Sequence, residues 1–463
     1  MNHPATDDQL PDLLSRLRVA IVHYWFVTYR GGERVVEVLA DMFPQADIFT
    51  LVLDPKALPP SLRSRKFTTS FLQRIPGITR HYKKFLPFFP LALEQLKLDE
   101  YDLVISSESG PAKGVLTRPH TCHICYCHTP LRYLWDMYHQ YRSSAPGGAL
   151  GRAFYSIAAN YVRQWDYAAS ARVDYYVASS HNAASRIAKY YRREAEVIHP
   201  PVNISSFSLG TNAEDFYLVV SPLVAYKRVD LAIRACDTMQ RRLVVIGEGE
   251  TMRALKKLAG PTITFLGYQP DELVRDYYQR CRAFILPGEE DIGLTPIEAQ
   301  ACGRPVIAFG RGGALETVVG GFPTDSYAAE SSTGVFFAVQ SAESLAEAIR
   351  FFESNETRFS PAFIRRHAER FDVSRFRSDM GAFITEKMLE FARRQKSGVR
   401  SQESGVRRQN RERAGGKRRC SRPCGLHFPK PTPEDARLYS DSWVLTCDSL
   451  LLGSKGSPRG GNR

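Results

Sequence analysis

Pro287-Gly288-Glu289-Glu290-Asp291-Ile292-Gly293-Leu294-Thr295-Pro296-Ile297-Glu298-Ala299-Gln300-Ala301-Cys302-Gly303 decides how this chain is read. The apolar run Arg282-Ala-Phe-Ile-Leu before it reads as a buried strand, which Gly288 ends. A helix is expected to start near Thr295-Pro296, with Thr295 as N-cap and Pro296 at the first helical position. Unpaired backbone N–H groups at such a start attract phosphate, an effect of about 0.3–1 kcal/mol when exposed and up to ~2 kcal/mol when partly buried. Glu290 then precedes the anion site and Glu298 lies one turn inside the helix. Taken alone, the stretch fits better an ordinary helix start with two acids near its positive end.

Outward from this stretch, apolar strands alternate with amphipathic helices, a pattern that gives parallel sheets covered on both faces. It occurs twice. Strand candidates in the first half are Arg18–His23, Ala46–Val52, Tyr101–Ser106, His123–Cys127 and Asp174–Ser179. In the second half they are Phe216–Val220, Arg242–Gly247, Ile263–Gly267, Ala283–Leu286 and Pro305–Phe309. Helices are expected over Val229–Met239, Asp271–Cys281 and Ser341–Ser354. The fold class is therefore α/β, with two Rossmann-like doubly wound domains and a ligand cleft between their strand ends. Domain limits follow: a flexible N-terminus over 1–17, a first domain over 18–205, a linker over 206–214 and a second domain over 215–372. A helix over 373–395 is expected to pack back toward the first domain, and a disordered basic tail fills 396–463.

Composition narrows the function. Apolar content of 43% and charged content of 24% are those of a soluble globular protein. The net charge of +13 is uneven, because residues 396–463 carry +9 and residues 1–395 only +4. The folded part is thus mildly basic, and no nucleic-acid partner is expected. Cys122, Cys125, Cys127 and His128 are crowded, but they lack a second cysteine pair at finger-like spacing and read as a buried strand. No apolar run reaches the ~20 residues that span a bilayer, and no secretion signal is apparent, which points to the cytoplasm.

Ser221-Pro-Leu-Val-Ala-Tyr-Lys227-Arg228-Val-Asp230 places two cations after the first strand of the second domain, where a diphosphate can be gripped. Gly247-Glu-Gly249 follows another strand and lets backbone come close to a ligand. In order along the chain, Tyr-Lys-Arg-Val-Asp, Val-Ile-Gly-Glu-Gly, Phe-Leu-Gly and Pro-Gly-Glu-Glu-Asp-Ile-Gly…Pro-Ile-Glu-Ala-Gln resemble glycosyltransferase family four, retaining enzymes of the GT-B fold. Thr28-Tyr-Arg-Gly31-Gly32-Glu33 is similar to that family's glycine-rich amino-terminal loop, and Cys127-His128-Thr-Pro130 to its histidine-bearing strand end. His-Ile-Cys-Tyr-Cys-His-Thr-Pro-Leu-Arg-Tyr and Gly310-Arg-Gly-Gly-Ala-Leu-Glu-Thr resemble the mannosyltransferase-like branch that builds O-antigen and other surface polysaccharides. The likeness covers residues 18–390.

The resemblance implies roles residue by residue. His128 lies beside the transferred sugar, Glu290 holds the sugar hydroxyls and Lys227 the diphosphate, which makes these three the expected catalytic group. Gly31 and Gly32, Arg228, Gly247, Leu294, Thr295 and Glu298 are the expected donor-binding set, with Glu298 on the ribose and the backbone of Leu294 and Thr295 on the phosphates. The family's usual arginine five residues before the lysine is replaced here by Pro222, so Arg228 is the expected second cation. No two aspartates stand two apart, so the Asp-x-Asp metal site of the other large glycosyltransferase fold is absent, and neither metal nor cofactor is expected. The implied reaction moves a hexose, mannose from GDP-mannose foremost, from a nucleotide-sugar donor to a saccharide or lipid-linked acceptor. A UDP-hexose donor, or a catalytically idle sugar-nucleotide-binding protein, are the alternatives. Arg80-His-Tyr-Lys-Lys-Phe-Leu-Pro-Phe-Phe-Pro-Leu-Ala-Leu is basic and aromatic, fitting either a peripheral contact with the cytoplasmic face of the inner membrane or a core-facing segment with a basic flank.

Overall fold

Residues 16–325 and 329–415 are described by a computed structural model. Arg18–Ala382 forms one compact unit that contains both sheets, and the chain from Phe383 belongs to a second unit. The first sheet holds β1 (Val19–Phe26), β2 (Asp47–Leu53), β3 (Phe67–Thr69), β4 (Leu103–Glu108), β5 (Cys122–Cys127), β6 (Tyr175–Ala178) and β7 (Glu196–Val197). The second holds β8 (Tyr217–Val220), β9 (Leu243–Ile246), β10 (Ile263–Gly267), β11 (Ala283–Leu286), β12 (Val306–Phe309), β13 (Gly320–Gly321) and β14 (Gly334–Phe337). Their orders are β3-β2-β1-β4-β5-β6-β7 and β10-β9-β8-β11-β12-β14-β13, and the pairings are parallel. This is the α/β two-domain architecture expected from the alternation.

The sequence explains the sheets physically. Strands covered on both faces lose the polar-apolar alternation and become continuous apolar runs. Val19-Ala-Ile-Val, Cys122–Cys127 and Ala283–Leu286 are such runs and are buried throughout. In each sheet the order reverses beside the first strand, at β1/β4 and at β8/β11. Loops leaving those strand ends diverge to opposite faces, and the gap between them is where an open parallel sheet receives a ligand. The pattern along the chain did not reveal β3, β7, β13 or β14, which are two to four residues long.

Among the helices that matter here are α1 (Gly31–Met42), α2 (Gly148–Ser170), α3 (His181–Tyr191), α4 (Val229–Thr238), α5 (Asp271–Arg280), α6 (Leu294–Ala301), α7 (Ala342–Asn355) and α8 (Val373–Gly415). Two expectations about helix limits are corrected. First, α6 begins at Leu294 with Gly293 at the N-cap, so Thr295 is its second residue and caps nothing. Gly293 has φ of 77°, which turns the chain into the helix earlier than a side-chain cap at Thr295 would. Pro296 remains in the first turn, where its missing N–H costs nothing. Second, α8 runs to Gly415, so residues 396–415 are helical rather than the start of a disordered tail. Their Arg, Gln and Glu residues are good helix formers despite the interspersed glycines. The expectations for residues 1–15 and for the tail after 415 lie outside the described residues.

The first turns of α8 touch the first sheet's domain: Phe376 meets the Tyr126 ring edge-on at 5.6 Å, and Arg377 bonds Asp41 at 3.2 Å. No helix among the described residues is long and apolar enough to cross a membrane. The Arg80–Leu93 segment divides between its two readings, since Phe89, Ala92 and Leu93 are buried while Arg80, Lys83, Lys84, Phe88 and Leu91 face solvent.

Beneath the end of β4 lies a fully buried charge cluster. Lys113 Nζ bonds Glu108 Oε1 at 2.9 Å and also contacts Asp166 Oδ1. Trp135 Nε1 and Tyr191 Oη donate to the Asp166 carboxylate at 2.9 and 3.0 Å. Burial works against the charge on Lys113, but the two carboxylates outweigh it and raise its pKa. Removing one partner of such a group leaves uncompensated buried charge, so Lys113→Met is expected to cost about 3–5 kcal/mol. Urea denaturation measures this, and adding Asp166→Asn is expected to recover part of it. A loss below about 1 kcal/mol, within the ordinary range for surface changes, would show that the cluster bears no structural load.

Candidate functional site

At the β8/β11 edge two loops come together. A Cβ placed on Gly288 would stand 2.9 Å from Lys227 Cα, so a side chain at 288 would force the loops apart. This approach brings Lys227 Nζ into direct contact with Glu290 Oε1. Lys227 also lies 5.2 Å from the centre of the Tyr226 ring. The Glu290 carbonyl accepts from Gly313 N–H at 2.8 Å, which explains the Gly310-Arg-Gly-Gly sequence as a brace for the acidic loop. From there the chain enters α6, whose Leu294 reaches the opposite domain: its Cδ1 is 2.7 Å from where a Gly31 Cβ would sit.

At the β1/β4 edge, α1 opens at Gly31, with Glu33 Oε2 accepting from Arg30 N–H at 3.0 Å. A Cβ on Gly32 would lie 3.4 Å from His23 Cε1 and 3.7 Å from His128 Nε2, so α1 starts within van der Waals range of these rings. His128 follows the last residue of β5. Its Nε2 is 3.0 Å from Ser107 Oγ, and its carbonyl accepts from Ser179 Oγ at 2.8 Å. The Ser107 carbonyl in turn accepts from His23 Nδ1 at 3.1 Å, which fixes the proton of that ring on Nδ1. Burial lowers the pKa of His128 to about 4. Burial, then the neighbouring His128, lowers that of His23 to about 3. Both rings are neutral at pH 7.

Charged contacts join the two domains. Arg34 bonds Glu298 at 2.7 Å and Asp271 at 3.2 Å. Arg186 contacts Asp291 and lies 3.5 Å from Glu289, while Arg132 is 3.6 Å from Asp291. The Glu316 carboxylate accepts from the backbone of His181 and Asn182, at 2.8 and 3.0 Å, and so covers the N-terminus of α3. His199 Nε2 is 3.3 Å from the same carboxylate. Although burial opposes ionisation of Glu316, these hydrogen bonds hold its pKa below the usual carboxylate range.

His128 thus neighbours Gly32, Leu294 neighbours Gly31 across the domains, and Lys227 neighbours Glu290. The other expected residues are placed differently. Arg228 turns its guanidinium to Asp230, at 3.0 and 3.1 Å. Gly247, with φ of 135°, packs on the Ser221 carbonyl, so the protein's own backbone accounts for the glycine. Thr295 lies within the first turn of α6. Glu298 has both oxygens engaged, by Arg34 and by Tyr278 Oη at 2.9 Å, and it borders a cavity of about 610 Å3 with Tyr29, Asp271 and Val373. Ser107, His23, Arg34 and Glu316 escaped the sequence reading. Arg34, two residues past Gly32, had a positional signal, whereas Ser107 and Glu316 act through long-range approach that spacing does not encode.

Cys122, Cys125 and Cys127 are buried within β5, as a strand requires. Among the described residues, no three His, Cys, Asp or Glu side chains are grouped to hold a metal ion.

Two family models match the chain, one described as glycosyltransferase family 4 over residues 29–206 and one as glycosyl transferases group 1 over residues 203–370. Among curated proteins, a D-inositol 3-phosphate glycosyltransferase of Geodermatophilus obscurus is 27% identical over 50% of this chain and 56% of its own length. A GDP-mannose-dependent alpha-(1-6)-phosphatidylinositol monomannoside mannosyltransferase of Mycolicibacterium smegmatis is 31% identical over 24% of this chain and 34% of its own. The matched stretches span about a third to a half of the curated relatives. Among solved structures, sucrose-phosphate synthase of Thermosynechococcus elongatus superposes with a TM-score of 0.58 at 17% identity, over 80% of this chain and 99% of that one. Anabaena HepE, in complex with UDP and glucose, gives 0.57 at 13% identity, over 80% and 100%.

The neutral histidines make stability depend on pH. With folded pKa values of about 3 and 4 against an ordinary 6.5, the unfolded chain takes up protons first as pH falls. Their contribution is complete above pH 6.5 and is lost as pH falls from there through the folded values. His23→Asn keeps a donor to the Ser107 carbonyl but cannot titrate. Its urea midpoint is expected to fall less steeply than wild type on acidification, and parallel slopes would mean that His23 is not held neutral.

Proposed function

Because the chain belongs to glycosyltransferase family four and has the GT-B fold, we propose that it transfers a hexose, foremost mannose from GDP-mannose, to a lipid-linked or oligosaccharide acceptor with retention of configuration, in the building of a surface polysaccharide. The observation that carries this reading is the contact of Lys227 with Glu290 at the β8/β11 edge, beside the start of α6 and across from Gly32 and His128. GDP-mannose-dependent relatives, from Mycolicibacterium smegmatis and Mycobacterium tuberculosis, favour the mannosyl donor.

Chemistry follows from charge. As the bond between the anomeric carbon and the diphosphate breaks, negative charge builds on the leaving group and oxocarbenium character on the sugar. Lys227 and the first amides of α6 stabilise the leaving group, while Glu290 accepts hydrogen bonds from sugar hydroxyls. His128, neutral and set by Ser107, hydrogen-bonds the sugar as a polarising group. Glu298 takes the ribose hydroxyls by exchanging Arg34 for them. With Lys227 and the amides stabilising the leaving group, the reaction proceeds without a metal.

Two measurements test this. In a thermal-shift panel of GDP, UDP, ADP, GDP-mannose and UDP-glucose, GDP and GDP-mannose are expected to raise the melting temperature selectively, and less so in Lys227→Ala. A UDP-selective shift would transfer the proposal to a UDP-hexose, and no shift with any nucleotide would sink the enzyme reading. In transfer assays Lys227→Ala is expected to lower kcat/KM by about 10²–10³-fold, as loss of a donor to a developing anion does. Activity is expected to survive a chelator; strict dependence on added Mg2+ or Mn2+ would overturn the metal-free account.

A further inference from the structure

Helix α2 carries an apolar face that nothing among the described residues covers. Leu150, Phe154, Ile157 and Tyr161 recur at spacings of four, three and four, so they share one side of the helix. They are 84%, 69%, 72% and 55% exposed, where side chains of this kind are ordinarily buried. Ala149, Ala153, Asn160 and Gln164 complete the exposed side, which therefore bears no charge. The opposite side holds the helix in place, through Val162 and Ala159 in a core cluster and Asp166 in the buried ion cluster.

The first-domain segments around this face are predominantly basic. The 3-10 turn Tyr82–Phe88 packs against α2, with Trp165 of α2 joining Tyr82, Phe85 and Leu86 against one core. That turn and its flank expose Arg80, Lys83 and Lys84 together with Phe88 and Leu91. From Arg74 to Lys97 there are five Lys and Arg but a single acid, Glu94, and it is engaged by Trp165 and Arg172. From Ser109 to Val173 the only acids are Asp136 and Asp166, and both are spent in internal ion pairs.

We propose that this face of α2, with Arg80, Lys83 and Lys84 beside it, docks on an anionic lipid bilayer surface. A helix that lies in the interface plane needs this combination of an uncharged apolar side with aromatic residues and flanking cations. A second copy of the chain fits less well, because pairing two such faces would crowd cations with few carboxylates to neutralise them. The face also lies beside the cleft. Arg142 Nε and Tyr138 Oη both bond Ser156 Oγ of α2, at 2.9 and 3.0 Å, and the Tyr141 and Tyr133 rings are 6.1 Å apart. Arg132, next to Tyr133, lies 5.9 Å over the Tyr226 ring, which adjoins Lys227. An acceptor anchored in the bilayer would thereby meet the site near the membrane surface, a consequence that rests on the proposed transferase reading, whereas the docking itself does not.

Co-sedimentation of the full chain with phosphatidylglycerol–phosphatidylcholine vesicles, against phosphatidylcholine alone, tests the docking. Wild type is expected to pellet with the anionic vesicles, and Phe154→Ser/Ile157→Ser and Lys83→Glu/Lys84→Glu each to weaken this by at least about tenfold. Both doubly substituted proteins change exposed residues only, so melting temperatures and the nucleotide-induced shift are expected to match wild type, which separates this result from the fate of the transferase reading. Equal pelleting of Phe154→Ser/Ile157→Ser and wild type would overturn the proposal and leave binding to the basic C-terminal residues. Absence of wild-type pelleting would overturn it too. So would a dimer, seen by size-exclusion chromatography with light scattering, that Phe154→Ser/Ile157→Ser splits.

Discussion

Cations of the first domain meet carboxylates of the second, and the shape of the cleft depends on that asymmetry. Among the described residues, Arg34, Arg132 and Arg186 lie on one side and Asp271, Glu289, Asp291 and Glu298 on the other. Several of these groups are well sheltered, Arg186 being 12% and Asp291 18% exposed, so solvent screens them less than it does a surface pair. Burial lowers the pKa of Arg186, and the nearby Arg132 lowers it further, against the pull of Asp136 and Glu289. Such contacts fix the relative position of two sheet edges more than they add net stability, because desolvation offsets most of the attraction.

The same arrangement decides what a ligand must offer. Lys227 and Glu290 neutralise each other, as do Arg34 and Glu298. A simple anion would draw Lys227 away and leave Glu290 a half-buried carboxylate without its cation. Under the proposed reading a sugar diphosphate compensates both halves of that exchange, giving phosphate oxygens to the lysine and hydroxyl donors to the carboxylate, and the ribose hydroxyls do the same at Glu298. Discrimination of this kind comes from the cost of leaving a buried polar group unpaired, which exceeds the gain from making one more contact.

Much of this was legible in the sequence because it depends on local pattern. The apolar runs marked the longer strands, and the order of glycines, Lys227, Glu290 and Glu298 marked the edge of the second sheet. What escaped is non-local. Thr295 was expected to cap α6 because its side chain suits the role, but the positive φ of Gly293 determines where that helix begins. Arg228 sits beside Lys227 in sequence, yet Asp230 two residues on captures its guanidinium, a competition that adjacency cannot display. Gly247 serves packing against Ser221. Ser107 and Glu316 carry no local signature, since their partners lie 21 and about 135 residues away.

Stability and chemistry meet at the end of β4. Ser107 sets the His128 ring, and the next residue, Glu108, gives its carbonyl to the His128 N–H and its carboxylate to the Lys113 cluster. A charged cluster in a dry interior is a poor way to gain stability, since apolar residues of similar volume do as well. It does hold geometry, because each carboxylate oxygen has a directional partner. Asp166 of α2, Tyr191 of α3 and Trp135 of the loop after His128 all converge on it. The elements that surround the histidine are thereby referred to one buried cation, while the ring itself stays neutral and free of the cost of charging. The proposed role, a fixed hydrogen bond to a transient positive sugar, is served by that division, with the charges placed below to hold position and the uncharged ring placed at the surface of the cleft to act.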